Sequence, residues 1–219
     1  MRSFSPRPSR AQGFSLVELL VVLVITALLM SLAIPGVVGL TRGYQLTATS
    51  DLLLNQLSLA RQAALSNSHL VQVRIYHLPD YNAAPTSSRT TYRAIQCFTE
   101  GDPAATGTPP LTPLTKTVFF PAPVIISTVT SPNLSPLLTG TTGTLTSAGA
   151  SAPVLAVYGS NYDYVSFHFK PNGTTDLTTT ANSLTLVLEN DDAAATGLPH
   201  NYRTIEIDPA VGTSRSFAP

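Results

Sequence analysis

Residues 16–38 form an apolar run whose only polar side chains are Glu18, Thr26 and Ser31. As a helix rising ~1.5 Å per residue, a run of this length crosses a hydrocarbon core of about 30 Å. Arg2, Arg7 and Arg10 precede it and no acidic residue does. The positive-inside rule then keeps the amino terminus in the cytoplasm and sends the chain beyond residue 40 outward. Glu18 is the costly residue, because a carboxylate deep in a spanning helix costs on the order of 3 kcal/mol. Either it lies near enough to one end to reach the headgroups, or it pairs with a cation inside the membrane or a protein assembly. Two simpler topologies share the basic-leader pattern. One is a plain single-span anchor; the other is a secretory signal peptide cut at the small-x-small site Ser31-Leu32-Ala33. The length of the run and the acid inside it argue against the signal peptide.

The stretch Gly13-Phe14-Ser15-Leu16-Val17-Glu18-Leu19-Leu20-Val21-Val22 resembles the processing motif of type IV prepilins and type II secretion pseudopilins. The resemblance implies cleavage after Gly13 by a prepilin peptidase on the cytoplasmic side, with N-methylation of the new terminal amine of Phe14. It also implies that Glu18 neutralises the Phe14 ammonium of a neighbouring subunit during filament assembly. Pro35 stands where such pilins often carry a helix-loosening proline; lacking a backbone donor, it is expected to kink or locally melt the helix. The expected order is a cleaved basic leader at 1–13, a transmembrane and assembly helix at 14–40, its amphipathic continuation at 41–68, and an extracytoplasmic β-rich domain at 69–219. The implied partners are prepilin peptidase, other pilin or pseudopilin subunits and the bacterial inner membrane. The protein would sit there single-pass, amino terminus cytoplasmic and carboxy-terminal domain periplasmic, before entering a pilus or pseudopilus.

Charge narrows the function further. Lys and Arg total 12 against 12 Asp and Glu, and loss of the three leader arginines leaves the mature chain mildly acidic. That balance lacks the basic footprint of a nucleic-acid binder. The DNA binding known for FimT-type pilins needs a basic tail, whereas residues 203–219 set Arg203 and Arg215 against Glu206 and Asp208. The single cysteine, Cys97, cannot form an intrachain bridge and reads as a buried, inert thiol in a strand. Many major type IV pilins staple a C-terminal loop with a disulfide, so this departure leans toward a minor pilin or pseudopilin.

Beyond the apolar run, Leu46, Leu53, Leu57, Ala60 and Ala64 recur at helical spacing between Thr47, Asp51, Asn55, Gln56, Arg61 and Gln62. This is one apolar stripe on a helix ending near Ser66-Asn67-Ser68, expected to pack on a sheet. Strand alternation follows at 71–76, 91–98, 162–170, 184–188 and 202–208, with short apolar runs at 118–120 and 124–126. Two Thr/Pro-rich insertions interrupt the pattern near 99–116 and 128–153. The first reads as a forced loop and the second as an exposed segment whose composition supports little core. The expected class is α+β: a long amino-terminal helix packed on an antiparallel sheet, pilin-like. Phe167-His168-Phe169-Lys170-Pro171-Asn172-Gly173, then Ile205-Glu206-Ile207 before Gly212, is similar to the carboxy-terminal half of GspH/FimT pseudopilins. More narrowly, the chain resembles the pilin-like cassette protein D family described from verrucomicrobia.

Enzymatic signals are missing from the sequence. Ser160 follows Gly159 without a G-x-S-x-G elbow, and His69, His77, His168 and His200 show no H-E-x-x-H spacing. His168 is expected on a polar sheet face. Neither lysine stands in a glycine-rich loop, and no cofactor is implied. Glu189, Asp191 and Asp192 are the best metal candidates, since major pseudopilins use a calcium loop. Their spacing lacks the D-x-D-x-D-G order, which favours a solvated acidic turn. The resulting expectation is a non-enzymatic minor pseudopilin of a type II secretion or type IV pilus-like system. The competing one is an anchored or secreted β-rich binding domain outside any filament.

Overall fold

In the computed structural model the described residues are 15–102, 109–139, 146–147, 153–193, 199 and 201–219, with the backbone alone for 32–38 and 40. They divide into two compact units, Met1–Thr41 and Arg42–Pro219. Helix α1, Leu16–Asn67, contributes to both. It stops where Ser68 takes a left-handed φ of 55°, the conformation that commonly ends helices.

In the first unit the described side chains from Leu16 to Met30 are exposed around the whole helix. Thr26 turns its hydroxyl back onto the carbonyls of Val22 and Leu23, both at 2.9 Å, which satisfies a polar group that an apolar environment would otherwise penalise. Among the described residues no helix is long and apolar enough to cross a membrane.

The second unit is helix on sheet. Leu46, Leu53, Leu57, Ala60 and Ala64 of α1 are all buried, which shows why the stripe repeats at helical spacing. They join one core with inward residues of the strands: Val71, Val73 and Ile75 of β1 (Val71–Leu78), Ile95 and Cys97 of β2 (Thr91–Glu100), and Val165, Phe167 and Phe169 of β7 (Asp163–Phe169). Leu184, Leu186 and Leu188 of β8 (Ser183–Leu188) and Ile205 and Ile207 of β9 (Arg203–Ile207) extend it. Each fully buried aliphatic or aromatic side chain of this kind contributes about 1.5–3 kcal/mol.

The remaining elements are β3 (Leu111–Pro113), β4 (Val118–Phe119), β5 (Val124–Ile126), α2 (Pro136–Thr139), β6 (Thr146–Ser147), α3 (Glu189–Ala193) and β10 (Ser214–Phe217). The sheet runs β10-β9-β8-β5-β2-β1-β7-β6, with β3 and β4 also paired to β2. Every pairing is antiparallel. The α+β class with a helix and a large antiparallel sheet is therefore present.

Strand β1 is hydrogen-bonded on both sides, so its register fixes what meets on the face away from α1. Gln72, Arg74 and Tyr76 stand opposite Phe98, Gln96 and Ala94 on β2 and His168, Ser166 and Tyr164 on β7. The Arg74 guanidinium lies 4.7 Å from the Phe98 ring centre and 4.2 Å from that of Tyr164. Tyr76 packs edge-on to Tyr162 at 5.1 Å and donates its hydroxyl to Gln96 Oε1 at 2.9 Å. The register slips between Tyr76 and His77, which leaves Arg93 as the extra residue of a bulge. Arg93 is buried between the rings of Tyr81 and Tyr158 and donates to the Pro79 carbonyl.

Three expectations need correction. The first insertion is not all loop: Thr99 and Glu100 complete β2, and Leu111–Pro113 pairs back onto it as β3. Proline is tolerated because β3 is a short strand off the main path of the sheet. The second insertion does supply core. Leu134, Leu137 and Leu138 are buried, with one turn of α2 bringing the last two inward. Ser135 is buried with them, and its Oγ accepts the Thr185 amide at 3.1 Å. The acidic 189–192 segment is a short helix, not an open turn.

One close approach demands glycine. Gly212, at φ +69°, would direct a Cβ to 2.1 Å from the Gly173 carbonyl oxygen. The turn after β7 and the turn before β10 touch there backbone to backbone.

Candidate functional site

Gly13 and Phe14, the expected processing site, lie outside the described residues. Glu18 stands in the first turn of α1, exposed among exposed apolar neighbours. An acid in a first turn suits the helix dipole, since free backbone N–H groups there carry partial positive charge. That effect is worth under about 1 kcal/mol, less than the cost of placing the carboxylate in lipid, so the dipole alone does not offset the burial. At position 35 the backbone remains helical within α1; the Pro35 side chain lies outside the described ones.

The acidic segment is built into the fold. Asp192 Oδ1 accepts the Ser127 hydroxyl, and Asp192 Oδ2 accepts the Thr128 amide and hydroxyl at 3.2 Å each. These bonds tie α3 to the chain leaving β5. Burial, with the Asp80 carboxylate nearby, raises the Glu189 carboxyl above its usual range. Among the described residues no group of three or more His, Cys, Asp or Glu side chains is arranged to hold a metal ion. Glu189, Asp191 and Asp192 are thus not brought together as ligands.

Cys97 is buried in β2, and burial pushes its thiol up to about 12. Such a thiol stays protonated and unreactive at neutral pH. Ser160 sits in the short segment before β7, and His200 lies outside the described residues.

Two polar clusters went unrecognised in the sequence. His168 occupies the face expected for it, but as the centre of an ion-pair bridge. Its Nδ1 is 2.7 Å from Asp176 Oδ2 and its Nε2 is 3.1 Å from Glu100 Oε1. Asp176 Oδ1 also accepts the His168 backbone amide at 2.8 Å. Burial works to lower the imidazole's pKa, but the two carboxylates outweigh it and raise it. Burial likewise works to raise Asp176, and the His168 hydrogen bonds reverse that and hold it below the usual carboxylate range. The signal was partial: alternation placed His168 on a face, whereas its partners come from the far end of β2 and from beyond the Pro171-Asn172-Gly173 turn.

The second cluster surrounds buried Asp163. Arg89 Nε donates to Asp163 Oδ2 at 2.8 Å, and His77 stacks on Tyr92 with its Nδ1 3.9 Å from the same oxygen. Burial lowers the His77 pKa despite that carboxylate. Arg89 and His77 thus both face this carboxylate at the start of β7. No sequence spacing announces it, because residues 77, 89 and 163 meet only through the pairing of β1 with β7 and the return of the 79–90 connection.

Residues 8–34 match the family described as the prokaryotic N-terminal methylation motif. No curated protein and no solved structure matches the chain. The amino-terminal segment thus carries a type IV pilin-like prepilin signal. That signal marks a substrate of prepilin peptidase and implies assembly with other pilin subunits.

Proposed function

We propose that the chain is a minor pilin-like subunit, a pseudopilin of the GspH/FimT kind, stored in the inner membrane and assembled through α1 into a periplasmic or surface filament. The observation that carries this reading is the methylation motif over residues 8–34, whose part from Leu16 onward is helical with apolar side chains uncovered as far as Met30. Such a surface needs a partner, lipid before assembly and neighbouring helices after it. Glu18 then sets register. A subunit inserted at the wrong depth leaves the carboxylate and a neighbour's Phe14 ammonium unpaired in a medium where unpaired charge is expensive. The chain acts by assembly, not catalysis, in a type II secretion or related pilus machine. The lone cysteine supports a minor role, since no C-terminal disulfide loop is available to it.

Intact-mass measurement on protein purified from native membranes tests the reading. Expected is a chain starting at Phe14 with one added methyl group. A chain still starting at Met1 supports the retained anchor instead, and one starting at Ile34 supports the secreted binding domain.

A further inference from the structure

Strand β10 stands at one end of the sheet, and its pairing with β9 decides which of its backbone groups are spent. The Asp208 amide donates to the Thr213 carbonyl at 2.8 Å, while the Ile207 amide turns away to the Asn182 carbonyl at 2.9 Å. Backbone groups alternate in direction along an antiparallel pair. With Ser214 opposite Ile207 and Ser216 opposite Ile205, Arg215 and Phe217 therefore turn their N–H and C=O groups to β9. Those of Ser214 and Ser216 point to the open edge, where no strand among the described residues pairs with them. Proline, a bulge or an inward-pointing charge normally blunts such an edge. Ser214–Phe217 has none of these: its register is unbroken, and its one charge, Arg215, lies across from Glu206 on the face away from the core.

The side chains of Ser214 and Ser216 share the face of Ile207 and Ile205, which is the α1 side of the sheet. There a groove of about 280 Å³ separates α1 from the start of β10. Asn55, Ser58 and Arg61 line it from the helix, and Thr213 and Ser214 from the strand. Arg61 is its one charged side chain. The guanidinium is held through Nε, which donates to the Val211 carbonyl at 2.9 Å, and it forms no ion pair among the described residues. Its remaining N–H donors are open to a guest. Asp51 stands one turn of α1 before Asn55, outside the lining. Asp208 spends Oδ1 on the Ala210 and Val211 amides and lines a separate groove with Glu206 and Arg215.

The two features meet at Ser214. A residue set opposite Ser214 on an added strand carries its side chain on the same face, over the groove. A carboxylate there meets the planar fork of Arg61, which it matches in charge and geometry; a cationic side chain would meet like charge. A second copy of β10 would bring Ser-Arg-Ser-Phe, with no acid and a further arginine.

We propose that the β10 edge accepts an extended segment of a partner protein as an added strand, its backbone on Ser214 and Ser216 and a glutamate side chain on Arg61. The inference concerns the sheet domain and is independent of how α1 assembles.

The test is an amide-shift NMR titration of the full chain in detergent micelles with the capped peptide Thr-Val-Glu-Val-Thr. Its controls are the same peptide with glutamine for glutamate, the same peptide N-methylated at the glutamate amide, a peptide copied from residues 213–217, and sodium butyrate. Expected are saturable shifts at Ser214 and Ser216 with the acidic peptide, about threefold weaker binding of the glutamine form, at least tenfold weaker binding of the N-methylated form, and no saturation by butyrate. Ser216→Pro removes an outward N–H and leaves the β9 ladder whole, so it should weaken the peptide severalfold with peak dispersion preserved. Arg61→Gln should make the glutamate and glutamine forms bind alike. Equal binding of the glutamine or the N-methylated form to the wild-type chain, tighter binding of the β10 copy or of butyrate, or no saturable shift with the acidic peptide at several millimolar would each overturn the proposal. None of these outcomes depends on a variant folding.

Discussion

The two stretches of α1 obey opposite rules. From Leu16 to Met30 the helix is apolar on every face and its side chains are exposed, whereas beyond Arg42 a single stripe from Leu46 to Ala64 is buried and the other faces are polar. The second stretch finds its apolar partner in its own sheet; the first finds none within the described residues. A helix uniformly apolar in side chain is a core or membrane element, while an amphipathic one belongs to a surface that it half covers. One continuous helix can therefore carry both a folding function and an assembly function, separated by where the polar residues return.

Substitution at matched positions sharpens that contrast most. Leu53→Ala empties a fully buried site in the helix–sheet core and should destabilise the sheet domain by about 2–5 kcal/mol. Leu23→Ala, more than half exposed, should leave urea unfolding of that domain within about 0.5 kcal/mol of the parent. Equal losses would break the comparison, because they would mean that the first stretch is also packed by the chain itself.

A smaller effect is expected where two turns touch. Gly212→Ala forces a Cβ onto the Gly173 carbonyl at a left-handed backbone position, and it should cost about 1–3 kcal/mol in the same unfolding measurement. A neutral result would show that the β7 and β10 turns can separate freely.

The smallest effect is a pH dependence. His168 has a raised folded pKa, so its contribution is complete below the unfolded value of about 6.5 and is lost as pH rises through the folded value. Asp176 is lowered in the fold, so its contribution is present above the unfolded carboxylate value and is lost as pH falls through the folded one. The urea midpoint should therefore decline as pH rises from about 6.5 through the raised folded value of His168, and His168→Gln should flatten that decline. An unchanged slope in His168→Gln would assign the dependence to other groups. Because α1 residues 16–31 lack titratable side chains apart from Glu18, truncating the comparison to the sheet domain should not alter the profile.

Much of the sheet domain was legible because its signals are local. The stripe from Leu46 to Ala64 and the alternation in 71–76, 91–98 and 184–188 each state a period and a buried face, and the pairings place them in one core. What stayed hidden was non-local. Leu134, Leu137 and Leu138 were masked by Thr, Ser and Pro around them, yet Leu134 and the two leucines of one helical turn all reach the core. The bulge at Arg93 has no sequence mark, since a long cationic side chain becomes a core residue only when Tyr81 and Tyr158 arrive from elsewhere. The His168 bridge likewise depends on register, which composition does not encode. At the amino terminus the reverse holds: the motif over residues 8–34 was readable from sequence alone, while the role proposed for Glu18 is a contact between chains that no single chain contains.

That contact is open to direct measurement. Wild-type, Glu18→Ala and Glu18→Asp proteins would be expressed in the native host, and the fraction of each recovered in sheared filaments compared with that left in the membrane after confirmed cleavage at Gly13. Charge pairing predicts that Glu18→Ala is processed normally but recovered in filaments at least tenfold less, with Glu18→Asp intermediate. Recovery of Glu18→Ala at the wild-type level would contradict the pairing of this carboxylate with a neighbour's terminal amine.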